Sequence, residues 1–322
     1  MKISFPKILL IAALTVTGLA RAEWPEKPIR VIVPHSAGAG GDVLIRLVQD
    51  DLAKRLGQPI IVENREGAGG NIGAQVAAGA APDGYTLLIA STGQFVINQH
   101  LYQSYTIDPL KAFAPIIHIA DIPGMLFASA TMPAKDLRDL AAQSKDLKGK
   151  LNYGTPGLGT TPQMALEMLN RSLGLGMTHV AYRGSPQVLQ GLLGGEIQLG
   201  YGVPGAALPF VQQGKLRVVA VTGEKRMPSI PDTPTFKELG LDHIGGVTWW
   251  ALVAPAGTPE PILDRINSAM RQAFAVPDVR KRLEELGIIP VAGTRKEMND
   301  LMGKEAIRWS RTIKELGLEK QN

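Results

Sequence analysis

Between His35 and Asp42 the chain reads His-Ser-Ala-Gly-Ala-Gly-Gly-Asp, a run whose small side chains open the backbone to a ligand. Ser36, Ala37, Gly38, Ala39, Gly40 and Gly41 expose successive N–H groups where a strand gives way to a helix, and such a loop favours a carboxylate or a phosphate. The dinucleotide fingerprint needs G-x-G-x-x-G. Here Gly38 and Gly40 are followed by Val43 where the third glycine should stand, which argues against a Rossmann site, and no cofactor is implied. The same glycines also suit a tight turn that serves packing alone.

A second small-residue loop, Gly154 to Thr161, precedes Pro162 at the first position of a helix, with Thr161 read as its N-cap. Thr160 and Thr161 would then direct N–H and hydroxyl groups from a helix N-terminus as an anion clamp. Other chemistry is poorly supported. Gly184-Ser185-Pro186 lacks the nucleophile elbow G-x-S-x-G, no H-E-x-x-H occurs, and His100, His118, His179 and His243 lack metal-ligand spacing, so no metal is expected. The chain has no cysteine, which excludes disulfides and thiolate chemistry.

The elements that must position these loops follow from periodicity. Ile29 to Val33 is a β-branched run between Pro28 and Pro34, as in a buried parallel strand. After Asp42, read as an N-cap that steadies the loop, Leu44, Leu47, Val48, Leu52 and Leu56 recur at helical spacing until Gly57. Strand Ile60 to Glu63, the Gly67 to Gly70 loop, a small-residue helix to Ala80 and strand Tyr85 to Ala90 complete a β-α-β-α-β half. A second series has strands at Leu151 to Tyr153, Met177 to Tyr182, Glu196 to Tyr201 and Leu216 to Val221. Strand Val247 to Ala254 and three helices close the chain, the last opened by a Thr294/Glu297 capping box. Trp249 and Trp250 in that strand read as core packing rather than ligand stacking. Arg183, at a helix start, suits either a ligand carboxylate or solvent.

Lys2 and Lys7 precede an apolar run from Ile8 to Ala20, and Ala20-Arg21-Ala22 has the form of a cleavage site. Residues 1–22 are therefore read as a signal peptide, with a periplasmic mature protein from Glu23. Its removal deletes Lys2, Lys7 and Arg21, leaving 31 basic against 29 acidic residues, so no nucleic-acid or membrane affinity is expected. About 300 mature residues suggest two domains. The apolar crossing Ala114 to Ala128 and the proline-rich Met227 to Pro234 read as passages between them. The expected division is 23–123 plus 232–322 for one domain and 124–231 for the other.

The segments WPEKPIRVIVP, AGAGGD, IIVENREGAGGNIGAQVAAGAAPDGYTLL, KLNYGTPGLGTT, HVAYRGS, GKLRVVAVTGEKR and LVAPAGTP resemble successive blocks of one family. It is the Bug-type solute receptors of tripartite tricarboxylate transporters, and the similarity runs from about Trp24 to Leu318. The resemblance implies an α/β fold, a two-domain, type II-like periplasmic binding protein with a Venus-flytrap cleft. It implies a monomer that captures a small organic acid and delivers it to integral-membrane permease subunits. Ligand contacts are implied at His35 to Asp42, at Ser91, Thr92 and Gln94, at Thr155, Gly159, Thr160 and Thr161, and at Tyr182 and Gly202. Several positions depart from the family pattern. His35 stands where Phe or Tyr is common, Ser36 where Pro is, Gly41 where Thr or Ser is, Phe95 where His is and Gly202 where Asp is. A receptor that presents its closed form to a signalling partner, or a secreted hydrolase, are the alternative readings.

Overall fold

A computed structural model describes residues 24–202, 204–223, 225–227, 230–244 and 246–321. The segment read as a signal peptide lies outside the described residues. Eleven strands are present among them: β1 (Ile29–Val33), β2 (Ile60–Asn64), β3 (Thr86–Ser91), β4 (Phe113–Ile122), β5 (Met125–Ser129), β6 (Asn152–Thr155), β7 (Thr178–Ala181), β8 (Leu199–Gly202), β9 (Leu216–Val221), β10 (Thr248–Pro255) and β11 (Ile289–Pro290). They form two sheets. The six-stranded sheet has the order β11-β4-β10-β3-β1-β2 and the five-stranded sheet the order β7-β6-β8-β5-β9.

Each sheet mixes parallel and antiparallel pairs and is apolar on both faces, as sheets covered by helices on both sides must be. In the six-stranded sheet β1 runs parallel to β2 and β3, whereas β10 is antiparallel to β3 and β4. Ile29, Val31 and Val33 face one cluster, with the helix Gly40–Leu56 and the helix Glu260–Phe274, while Ile32 faces the other. In the five-stranded sheet Met125 and Phe127 alternate in the same way with Leu126 and Ala128. The helix Arg295–Glu315 opens with the expected capping box and buries Met298, Met302, Trp309 and Ile313 against the first sheet.

The long apolar stretch read as a passage resolves into two strands in different sheets, β4 and β5, with Pro123 and Gly124 between them. A second segment braces this crossing: Gly124 N–H donates to Thr222 Oγ1 at 2.7 Å, and Thr222 N–H donates to the Gly124 carbonyl at 2.9 Å. After β9, Thr235 bridges to Val221, and Phe236 and Ile244 are buried in the same apolar cluster as Leu126 and Ala128 of β5.

Candidate functional site

Loops after four parallel strands, two from each sheet, converge on one cleft of ≈ 430 Å³. Pro34, His35 and Ser36 follow β1, and Glu66 to Gly70 follow β2. Pro156 and Gly157 follow β6, and Tyr182 and Arg183 follow β7. Carboxyl ends of parallel strands are where open α/β sheets bind ligands, since the helices that follow turn their N-termini toward the same space.

The β1 loop is built by its glycines and one acid. Gly38 takes φ +82, and a Cβ at Gly41 would lie 2.4 Å from Cζ3 of Trp250, so the two positions need glycine for different reasons. Trp250 is buried against this loop, and His35 meets its ring edge-on at 5.5 Å. The helix begins at Gly40 with Ala39 as its N-cap, which corrects the reading of Asp42 as the cap. Asp42 is the third helical residue. Its buried carboxylate accepts from Gly38 N–H at 2.9 Å, Arg46 Nε at 2.8 Å and Asn64 Nδ2 at 3.0 Å, which fastens the loop without facing the cleft. Ala37 is exposed beside Gly38.

Ser91, Thr92 and Gln94 lie one layer behind the cleft wall. Gln94 Oε1 accepts from the backbone N–H and hydroxyl of Ser91, and its Nε2 donates to the Gly69 carbonyl at 2.5 Å. Gln94 thus holds the β2 loop in place. Thr92 accepts from Trp249 N–H at 3.1 Å and ties β3 to β10. On the other side Thr155 is buried, with its hydroxyl 2.7 Å from His179 Nε2. Gly159 N–H donates to Gln163 Oε1 at 2.8 Å. Thr160, not Thr161, is the N-cap of the helix Thr161–Leu173, because its hydroxyl accepts from Gln163 N–H while donating to the Gly157 carbonyl. Thr161 is buried with no hydrogen-bond partner for its hydroxyl. Gly202 ends β8 opposite Met125 and is not among the cleft-lining residues.

Of the side chains singled out in the sequence, those of His35, Ser36, Tyr182 and Arg183 line the cleft. The β2 loop completes it. The β2 loop carried a legible signal: Gly67-Ala68-Gly69-Gly70 repeats the tetrapeptide Gly38-Ala39-Gly40-Gly41. Its backbone is left-handed at Gly67, Ala68, Gly69 and Gly70, a geometry that glycine supplies at little cost and alanine does not.

Glu66 and Arg183 are the charged side chains among the lining residues, one on each sheet's loops, and among the described residues neither makes an ion pair. His35 is neutral at pH 7 because burial lowers its pKa to about 4, against a weaker opposing effect of Gln94. Burial lowers that of His179 to about 4 as well. Among the described residues no group of three or more metal-ligating side chains occurs, and no helix is long and apolar enough to cross a membrane.

The two histidines make a testable contribution to stability. Both protonate near 6.5 when unfolded and near 4 when folded, so their contribution is complete above 6.5 and is lost as pH falls toward 4. Urea midpoints measured at pH 7.5 and 5 should fall less in a His35→Gln/His179→Gln variant than in the parent. Equal falls would show that neither imidazole is kept neutral by the fold.

Residues 44–318 match the tripartite tricarboxylate transporter family receptor. Protein BugT of Bordetella pertussis is 30% identical over 295 residues, covering 91% of this chain and 90% of that protein. Two solved structures from Rhodopseudomonas palustris are also similar. One, Rpa4515 with adipate, is 30% identical with a TM-score of 0.86 and covers 93% of this chain and 100% of its own. The other, MatC with bound malate, is 33% identical with a TM-score of 0.83 and covers 90% of this chain and 100% of its own. With two α/β sheets flanking a cleft, no enzymatic motif, and a family match over most of its length, the chain belongs to the receptors of tripartite tricarboxylate transporters, the Bug-type solute-binding proteins.

Proposed function

We propose that the protein binds a small carboxylate in this cleft outside the cytoplasm and delivers it to a membrane permease of the tripartite type. The observation that carries the reading is the convergence of four strand-end loops, with helix N-termini behind them, on a space holding one unpaired guanidinium. Backbone N–H groups and Arg183 would receive the carboxylate, and neutral His35 and Ser36 would orient it. Relatives solved with malate and adipate support that class of ligand. The domain that carries β5 to β9 extends to Ile244, with the remainder from residue 23 in the other domain. Closure would turn about Gly124, Thr222 and the return segment.

Titration calorimetry with malate, adipate and a neutral diol tests the reading. The acids should bind and the diol should not. Arg183→Ala should weaken acid binding by about 1–2 kcal/mol, or roughly tenfold, the range for a hydrogen bond to a charged group discounted for an exposed rim position. Glu66→Gln should act in the opposite direction on a dicarboxylate, since it removes a like charge from the same space. Turnover of the acid, or affinity unchanged by both variants, would sink the assignment.

A further inference from the structure

The halves of the molecule also meet away from the cleft, at a seam none of whose members touches the lined space except Gly69. Leu158 and Gly159, in the loop after β6, press against Gly93, Asn98 and Tyr102, which follow β3. Tyr102 is buried and donates its hydroxyl to the Leu158 carbonyl at 2.9 Å. The fit is close. A Cβ on Gly159, where φ is +75, would stand 2.0 Å from Asn98 Oδ1, and one on Gly93 would stand 2.8 Å from the Gly159 carbonyl. Met164, one turn into the next helix, is fully buried in the same apolar cluster as Leu101, Tyr102 and Tyr105, and Leu158 packs against that cluster.

The seam is wired to the cleft wall. Asn98 Nδ2 donates to the Gly69 carbonyl at 3.2 Å, the same carbonyl that Gln94 holds, and Gln94 Nε2 lies 3.4 Å from His35 Nε2. A Cβ on Gly69 would be 2.6 Å from the Tyr102 hydroxyl and 2.7 Å from the Leu158 carbonyl, so the β2 loop, the seam and the incoming loop of the other half share one contact point. Separating the halves would leave the Leu158 carbonyl without its partner and expose Leu158 and Met164 to water.

We propose that this seam is a latch between the two domains, and that Tyr102 is a positioning residue that sets ligand affinity without contacting the ligand. A latch that favours the closed arrangement raises apparent affinity by increasing the fraction of binding-competent protein. Its effect on affinity rests on the binding reading above, whereas its effect on domain separation does not.

The absence of cysteine allows a direct test. Spin labels on Ile61→Cys and Leu193→Cys, exposed positions on the two halves, report the interdomain distance by pulsed electron resonance. In Tyr102→Phe, where the ring packing stays and the hydroxyl goes, the distance distribution should shift to longer values. Malate should dissociate faster, with Kd raised three- to tenfold and the unfolding midpoint little changed. Gly159→Ala should open the halves further, and adding Asn98→Ala should restore part of the closed population by making room for the new methyl. Gly149→Ala, at φ +71 with open space around it, controls for backbone strain alone and should leave the distances unchanged. Distances and malate affinity equal to the parent in both Tyr102→Phe and Gly159→Ala would overturn the latch. If the parent binds no carboxylate, the functional reading fails and the distance measurement still decides the latch.

Discussion

Asp42→Ala should lower the unfolding free energy by about 2–3 kcal/mol, the cost of removing one partner from a buried, charge-assisted network whose other partner is half-exposed. Three donors converge on that carboxylate: Gly38 N–H, Arg46 Nε and Asn64 Nδ2. Asn64 Nδ2 also donates to the His35 carbonyl at 2.9 Å, so one acid fixes the start and middle of the loop to the helix that follows. Water can reach Gly38 and Arg46, which keeps the cost below that of an isolated buried charge. Asp42→Asn retains one acceptor and should lose about half as much. Urea unfolding with an unchanged denaturant slope checks the figure. A difference under about 0.5 kcal/mol, the usual span of a surface substitution, would show that the network contributes nothing to the fold. Because the loop lines the cleft through His35 and Ser36, the carboxylate affinity proposed above should fall along with stability.

The pattern of strands and helices was legible wherever one face is apolar. Ile29, Val31, Ile32 and Val33 and the helix face of Leu44, Val48, Leu52 and Leu56 are buried as their spacing requires, and Gly57 ends the helix in the left-handed conformation at φ 81. The cleft was legible only in part, for a physical reason. Small residues at a strand end announce that the backbone will be approached closely, but not by what. At Gly41 the neighbour is a tryptophan from a strand more than 200 residues later, and at Gly159 it is the side chain of Asn98. Both glycines look alike in the sequence. The same limit hid the role of Gln94, whose amide holds the Gly69 carbonyl across 25 residues, and misplaced both caps by one or more residues. Helix starts in glycine- and threonine-rich loops offer several capping candidates, and tertiary contacts choose between them.

Gly41→Ala should be among the most damaging single substitutions in the site, at about 3 kcal/mol, the upper end for overpacking a filled core. The added methyl would sit 2.4 Å from Cζ3 and 3.0 Å from Cε3 of Trp250. The indole has no easy retreat: its backbone belongs to β10, which pairs with β3 at Ser91 and with β4 at Ala120. Its far edge meets Gly40, where a Cβ would be 3.1 Å from Cζ2, and the His35 ring at 5.5 Å. The loop must therefore move, and His35 and Ser36 with it, so the carboxylate affinity proposed above should drop at least tenfold. Trp250→Phe alone should cost about 1–2 kcal/mol, less than full truncation of a buried aromatic because one ring remains. Phenylalanine has no atom corresponding to the outer part of the indole, which leaves space for the methyl. The double variant should then be more stable than the sum of the two single losses predicts, by about 1 kcal/mol or more. Additive losses would mean that the methyl is accommodated by a shift of the loop and not by the space left beside residue 250.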